Sequence, residues 1–232
     1  MRKGYYVCLD PGHGPGCANR SPDGVYEEQE FSMDLANRIA SLLRARGITI
    51  TFTRHAMDYP SLRYRCKAAN AICGLDLFVS LHSNASGNGG WSDACGHLVF
   101  TSGAGESERR NRAARAILQN WEQDGIPIGI NPLRHQAFTV LTNTVAPAVL
   151  LEHGFHTNRK DVAMLNDSRF RDRLAQADAK GILEYLGLSW ELSPNPDRAK
   201  VAKRFGLEKQ TLDYLEAYSF GKELLHKLAE GR

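Results

Sequence analysis

Three short apolar stretches, each of which leads into a histidine within a few residues, constrain the fold of this chain most strongly. They occupy residues 5–14, 76–84 and 148–154. Apolar runs bounded by turn-forming residues are typical of buried β-strands. In an open α/β sheet, ligands bind beyond the carboxyl ends of the strands. We therefore expect a sheet that carries His13, His82 and Glu152 along one edge.

The segments around these strands predict an α/β fold. Helical spacing of apolar residues indicates helices, and two more apolar segments indicate strands. The predicted helices cover residues 27–46, 61–73, 106–123 and 168–186, with a helical turn at 161–165, and the additional strands cover 48–53 and 95–100. Strands that alternate with helices predict a mostly parallel twisted sheet with helices on both faces. We interpret residues 125–135 as an irregular cleft rim and 138–141 as a short edge strand.

The chain is long enough for one full domain and a small appendage. We expect a main domain over residues 1–190, a linker over 191–196 and a small helical segment over 197–232. A segment of roughly 40 residues is close to the lower limit for independent folding. The helical segment is therefore expected to dock on the main domain or to form a homodimer, and binding to a separate target is the alternative.

Composition and motifs argue against several functional classes. The net charge is only +3 and no dense basic run is interleaved with aromatic residues, so no nucleic-acid partner is expected. No apolar run approaches the ~20 residues of a membrane span, and the N-terminus lacks a signal-peptide pattern. Residues 12–17 lack the third glycine of G-x-G-x-x-G, and no G-K-[ST] follows, so nucleotide binding is a poor fit.

The polar residues at the predicted edge match the ligands of a catalytic zinc ion. Such a site takes three ligands from His and Asp or Glu and leaves one position for water. His13, Glu28 and His82 supply this set, with the glutamate at the start of the first helix. Glu152 is left as a proton-transfer group beside a metal that lowers the pKa of bound water to ~7. Glu28 is also a candidate partner of the helix dipole, and the adjacent Glu27 stays the alternative ligand.

Four motifs in this order resemble the zinc-dependent N-acetylmuramoyl-L-alanine amidases of the amidase type 3 family. The resemblance covers about residues 5 to 187. Its motifs are Asp10-Pro11-Gly12-His13-Gly14, Glu28 at a helix start, Ser80-Leu81-His82-Ser83-Asn84-Ala85, and residues 147–155 with Asn158.

The resemblance implies one Zn²⁺ per chain, held by His13, Glu28 and His82. It implies Glu152 as the general base that works with zinc-activated water. The implied partner is peptidoglycan, and the implied reaction is hydrolysis of the amide bond between N-acetylmuramic acid and L-alanine of the stem peptide. A zinc peptidase that cuts within the stem peptide and a non-catalytic wall-binding protein are the competing hypotheses.

The chain departs from the family pattern after the predicted catalytic glutamate. His153 stands where family members often have a small polar residue, and His156 follows it closely. Each is interpreted either as a residue that contacts the substrate or tunes Glu152, or as a surface loop residue. Three further residues are candidates for the cleft: Asn84, Arg65 and Gln136. Asn84 is also predicted to contact the substrate.

A wall substrate without a signal-peptide pattern is typical of a phage or prophage endolysin that leaves the cytoplasm through a holin-type pore. It is equally typical of a sporulation enzyme that acts inside the mother cell. We expect synthesis in the cytoplasm and action on the cell wall after release.

Overall fold

The computed structural model describes residues 4–191, 196–216 and 220–231. The chain divides into two compact units, Met1–Leu188 and Ser189–Arg232. The strands of the first unit are β1 (Tyr6–Pro11), β2 (Thr49–Phe52), β3 (Leu77–Asn84), β4 (His97–Thr101), β5 (Ile128–His135) and β6 (Ala148–Phe155). Its helices are α1 (Glu28–Arg44), α2 (Leu62–Asn70), α3 (Arg109–Gln123), α4 (Thr139–Thr142), α5 (Arg159–Asn166) and α6 (Ser168–Tyr185).

The six strands form one sheet in the order β2-β1-β3-β6-β4-β5. Every neighbouring pair is parallel except β4 and β6, which are antiparallel. The prediction of a mostly parallel sheet is therefore confirmed. Because β1, β3 and β6 run in the same direction side by side, their carboxyl ends lie at one edge of the sheet. That edge receives the residues that follow all three strands.

Alternation along the strands divides the core between the two faces of the sheet. Cys8, Phe78 and Leu150 pack in a cluster with residues of α2 and α4. Their chain neighbours, such as Val79 and Val149, are fully buried and point to the other face, where α1, α3 and α6 pack together. Burial of each such side chain stabilises the fold by about 1.5–3 kcal/mol. Helices cover both faces, as predicted.

The structure corrects two predictions in the segment between α3 and β6. The expected edge strand at 138–141 is a short helix, in which Leu141 and Thr142 donate backbone hydrogen bonds to the carbonyl of Phe138. Its β-branched residues suggested a strand, but the helical turn directs both Val140 and Leu141 into the core, where they are buried.

The predicted irregular rim at 125–135 is largely the edge strand β5. Gly129, Asn131 and Pro132 suggested a loop. Instead, they form an irregularity within the strand, where the register with β4 shifts and Asn131 has a φ of +50°. An edge strand tolerates proline because one side of it needs no backbone donor.

The second unit contains three helices among its described residues: α7 (Pro196–Phe205), α8 (Lys209–Glu216) and α9 (Gly221–Glu230). They share a small apolar core built on Val201, Leu212 and Leu225. Glycines mark two of their ends, because α7 ends directly before Gly206 and α9 begins at Gly221. Most of the predicted linker lies outside the described residues, and docking or homodimer formation by this unit stays a prediction. Within the described parts of the chain, no helix has the length and apolar character needed to cross a membrane.

Candidate metal centre

The end of β1 approaches the end of β3 so closely that only glycine fits between them. The Gly12 amide donates a 2.9 Å hydrogen bond to the carbonyl of Leu81. A Cβ atom on Gly12 would lie 2.4 Å from Cε1 of His82 and 2.7 Å from the Leu81 carbonyl oxygen. His13 follows with a φ of +55°, a left-handed conformation that costs free energy for a residue with a side chain.

Two buried arginines hold this loop in place. Arg65 donates to the carbonyls of Pro11, at 2.6 Å, and His13, and it pairs with Asp10 at 2.8 Å. Arg54 donates to the Pro11 carbonyl at 2.9 Å. Arg65 therefore acts beneath the edge of the sheet as a support for the backbone of the His13 loop.

Glu28 is the residue on which the polar groups of this edge converge. It is the first residue of α1 and only 1% exposed, and the positive end of the helix dipole favours its carboxylate. Its Oε1 atom lies 3.2 Å from Nε2 of His13 and 2.9 Å from Nδ1 of His82, and it accepts a 3.0 Å hydrogen bond from the amide of Ser83. The three candidate ligand atoms all lie within 4.8 Å of one another.

The neighbouring glutamate points elsewhere. Glu27 is exposed, and its carboxylate accepts a 3.1 Å hydrogen bond from the side chain of Gln29. The structure therefore brings Glu28, and not Glu27, to the two histidines.

Burial and the two histidines act on the ionisation of Glu28 in opposite directions. Burial alone would raise its pKa, but the hydrogen bonds and charges of His13 and His82 outweigh burial and hold the pKa well below its usual range. Its second oxygen, Oε2, is buried without a hydrogen-bond partner among the described residues, and Nδ1 of His156 lies 3.7 Å from it. An anionic carboxylate with a spare buried oxygen is suited to a cation.

Glu152 lies beside this cluster on β6, in register with His82 on β3. Its Oε2 atom is buried without a hydrogen-bond partner among the described residues. Burial, and then the negative charge of Glu28, raise the pKa of Glu152 well above its usual value. Two carboxyl groups whose pKa values are displaced in opposite directions are typical of sites where one binds and the other exchanges protons.

The two histidines after Glu152 are both buried, so their interpretation as surface residues is wrong. His153 is fully buried, with Nε2 3.1 Å from the carboxylate of Asp178 and Nδ1 3.2 Å from the carbonyl of His82. His156 is 4% exposed, with Nδ1 3.1 Å from the carbonyl of Ser83. Both contact β3, the strand that carries the candidate ligand His82.

The remaining cleft candidates fall in different places. Asn84 is half-buried at the end of β3, where its side chain accepts a 2.8 Å hydrogen bond from the amide of Ala85, and its substrate contact stays a prediction. The prediction that Gln136 lines the cleft is wrong. It follows β5, and β4 and β5 run opposite to β6, so Gln136 lies at the other end of the sheet.

Sequence reasoning missed Arg54 and Asp178. A signal for Arg54 was present, because it comes directly after a predicted strand on the same edge. Asp178 gave none, since it lies in the middle of α6 and its partner His153 is 25 residues away.

Two histidines and a glutamate at the carboxyl edge of an α/β sheet, beside a second buried carboxyl group, define a candidate metalloenzyme. The sequence profile described as N-acetylmuramoyl-L-alanine amidase matches residues 7–184. The chain belongs to the N-acetylmuramoyl-L-alanine amidase family.

Similarity to individual proteins supports the assignment to this family. The chain is 30% identical to the N-acetylmuramoyl-L-alanine amidase CwlM of Bacillus licheniformis, over 79% of this chain and 69% of that protein. It is 28% identical to the endolysin of Bacillus phage SPP1, over 78% of this chain and 66% of that protein. Among solved structures, the catalytic domain of CwlV from Bacillus (Paenibacillus) polymyxa var. colistinus matches with a TM-score of 0.71 and 28% identity, over 80% of this chain and 99% of that domain.

Proposed function

We propose that this chain is a peptidoglycan hydrolase that cleaves the amide bond between the lactyl group of N-acetylmuramic acid and L-alanine. The observation that carries the proposal is the convergence of His13, Glu28 and His82 beside Glu152. Two of the relatives it resembles are named as an amidase of this bond and as a phage endolysin. The bacterial cell wall is then the site of action, whatever the route of release.

The proposed cofactor is one Zn²⁺ per chain, held by His13, Glu28 and His82. Two imidazole nitrogens and one carboxylate oxygen form a donor set that zinc accepts in catalytic sites. The side chain of His13 is 24% exposed and that of His82 is 17% exposed, so a substrate can approach both from solvent. Glu28 is only 1% exposed and contacts both histidines from the protein interior. When bound, zinc would supply Lewis-acid polarisation of the amide carbonyl and activation of water.

The protein's own contribution to the chemistry is a proton shuttle at Glu152. As general base, its carboxylate takes one proton from the attacking water, whose oxygen forms a bond to the lactyl carbonyl carbon. As general acid, it returns that proton to the alanine nitrogen when the carbon–nitrogen bond breaks. The products are a lactyl carboxylic acid on the sugar and a stem peptide with a free amine. A pKa raised by burial favours the protonated form of Glu152, which suits the second step, in which it delivers the proton.

The Glu152→Gln variant tests this role. It keeps the size of the side chain but removes the proton acceptor, so the rate of wall hydrolysis should fall by about 10²- to 10⁴-fold. Metal content and thermal unfolding should match those of the unmodified protein. The exposed Glu27→Gln is the matched control and should retain full activity. Hydrolysis by Glu152→Gln within a few-fold of the control would remove Glu152 from the mechanism.

Mass spectrometry of the digested wall identifies the bond. Intact stem peptides with a free alanine amine are expected from the amidase. Fragments cut inside the stem would instead support a zinc peptidase, and undigested wall with bound protein would support a wall-binding function.

A further inference from the structure

We infer that the glycan strand of the substrate binds an apolar groove beside the metal centre, with the ring of Tyr59 as its platform. This inference rests on the proposed function and assigns the two halves of the substrate to different surfaces. The groove has a volume of about 460 Å³. We call it the Tyr59 groove, and its lining consists of Asp10, His13, Tyr59, Pro60, Ser61, Leu62, Arg65 and His82.

The Tyr59 groove opens directly onto the candidate metal ligands. His13 and His82 form part of its wall, so a group bound there is adjacent to the reacting bond. Tyr59 is 58% exposed and Leu62 is 53% exposed. Large apolar side chains grouped beside a reactive centre are typical of a binding surface.

The wall that carries Tyr59 is fixed before any ligand arrives. A Cβ atom on Gly14 would lie 2.6 Å from Cβ of Tyr59, so the tyrosine packs directly on the backbone that follows His13. The preceding turn is closed by a 3.0 Å hydrogen bond from the amide of His55 to the carboxylate of Asp58. The next residues enter α2, where Ser61 caps the helix by accepting from the amide of Tyr64. A positioned ring loses little conformational entropy on binding.

Charge decides which half of the substrate this groove accepts. Apart from the proposed metal at its His13 and His82 end, the groove has two ionic groups, Asp10 and Arg65, which are buried and paired with each other at 2.8 Å, so the rest of its lining offers no free charge. The stem peptide carries carboxylates, and an unpaired charge on an apolar surface is costly. The amidated muramoyl sugar is uncharged, and its pyranose ring presents apolar C–H groups that fit the face of an aromatic ring. The glycan is therefore the occupant.

A second opening has the lining that the peptide half requires. Its volume is about 570 Å³, and it reaches the metal centre through His156, whose Nδ1 lies 3.7 Å from Glu28. Its other lining residues include Asn19, Arg20 and Asp23, which offer hydrogen bonds and charges of both signs. The contrast between the two linings supports the assignment of the glycan to the Tyr59 groove.

Titration of the uncharged disaccharide N,N′-diacetylchitobiose, which has the pyranose rings of the glycan and no lactyl carboxylate, into the full chain tests the inference without any catalysis. Tyr59→Ala should weaken binding about fivefold to tenfold, as expected for loss of one aromatic contact, and Tyr59→Phe should retain it. The control is Tyr64→Ala, because Tyr64 is 57% exposed on α2 but does not line the groove. Equal affinity of Tyr59→Ala and Tyr64→Ala for the disaccharide would overturn the inference.

A pair of substrates separates this inference from the proposed function. One is N-acetylmuramoyl tripeptide, and the other is the same tripeptide with only a D-lactyl group. The ratio of their kcat/KM values should fall about fivefold to tenfold in Tyr59→Ala, through KM of the sugar-bearing substrate. An unchanged ratio would overturn the inference, and weaker binding of the free stem peptide alone would assign the groove to the peptide. Failure of the unmodified protein to cleave either substrate would count against the amidase, while the disaccharide titration would still decide the groove.

Discussion

Two histidine clusters lie close together in this protein and differ in almost every physical respect. The open cluster consists of His13, His82 and Glu28. The closed cluster consists of His97, His153, Trp121 and Asp178, all of them fully buried. The backbone of His82 joins the two, because its carbonyl contacts the ring of His153.

In the open cluster, different donors share one acceptor. Nε2 of His13 and Nδ1 of His82 both approach Oε1 of Glu28, and both rings reach solvent. In the closed cluster, the polar atoms are mostly paired internally. Asp178 accepts from Nε1 of Trp121 at 2.7 Å and lies 3.1 Å from Nε2 of His153, while Nδ1 of His97 donates to the Pro127 carbonyl at 2.7 Å.

The comparison shows that histidine content alone does not identify a metal site. Convergence of donor atoms on one point, combined with access from solvent, distinguishes the open cluster. The closed cluster uses the same residue types to satisfy buried polar groups inside the core. The first should therefore control metal binding and the second should control stability.

The largest expected effect is loss of metal from the open cluster. Glu28→Ala removes one of three proposed ligands, so zinc affinity should fall by well over 100-fold, more than outer partners of metal ligands typically contribute. Zinc per chain, measured by atomic emission after dialysis, should drop from one to near zero. Glu27→Ala is the matched control and should keep one zinc. Normal zinc content in Glu28→Ala would contradict the assignment of the ligands.

The next effect separates stability from metal binding. Asp178→Ala leaves His153 and the indole N–H of Trp121 buried without their acceptor, which should lower the free energy of unfolding by about 3–5 kcal/mol. On the same helix, Asp172→Ala removes an exposed ion pair with Arg38 and should cost about 0–1 kcal/mol. Denaturant unfolding measures both. A loss in Asp178→Ala no larger than in Asp172→Ala would mean that the closed cluster is not a stabilising unit.

The smallest expected effect is the loss of stability of the folded protein at acidic pH. Burial, and then the neighbouring His153, lower the pKa of His97 from 6.5 to about 3. Because the folded state disfavours the charged ring, its contribution to stability is complete above pH 6.5 and is lost as the pH falls toward about 3. One such group changes the free energy of unfolding by at most about 1.4 kcal/mol per pH unit.

His97→Asn isolates this contribution, since its amide can still donate to the Pro127 carbonyl. The difference in unfolding free energy between pH 6.5 and pH 5 should be smaller in the variant than in the unmodified protein. An identical pH dependence in both would show that His97 is charged or exposed in the folded state.

The sequence predicts the open cluster well and the closed cluster poorly. His13, His82 and Glu152 each follow or end an apolar run, so local pattern places them at the edge of a parallel sheet. Glu28 could be predicted only within one residue, because the choice against Glu27 depends on where α1 begins. Asp178 could not be predicted, since its role depends on how α6 packs on β6 rather than on any local pattern.

The fold shows the same division between local and long-range information. The central strands have continuous apolar runs, and their prediction holds. The edge strand β5 contains Gly129, Asn131 and Pro132, which local rules assign to a loop, and only pairing with β4 makes it a strand. The helical turn α4 reverses the local preference of its residues because the core behind it accepts Val140 and Leu141.

The decisive experiment measures zinc content and wall lysis on one sample before chelation, after chelation and after zinc is restored. We predict one zinc per chain, loss of lysis with the metal, and recovery of both when zinc is added back. Stem peptides with free alanine amines should appear only in the zinc-containing samples. Full lysis by the metal-free protein would contradict the central claim that His13, Glu28 and His82 form a catalytic metal centre.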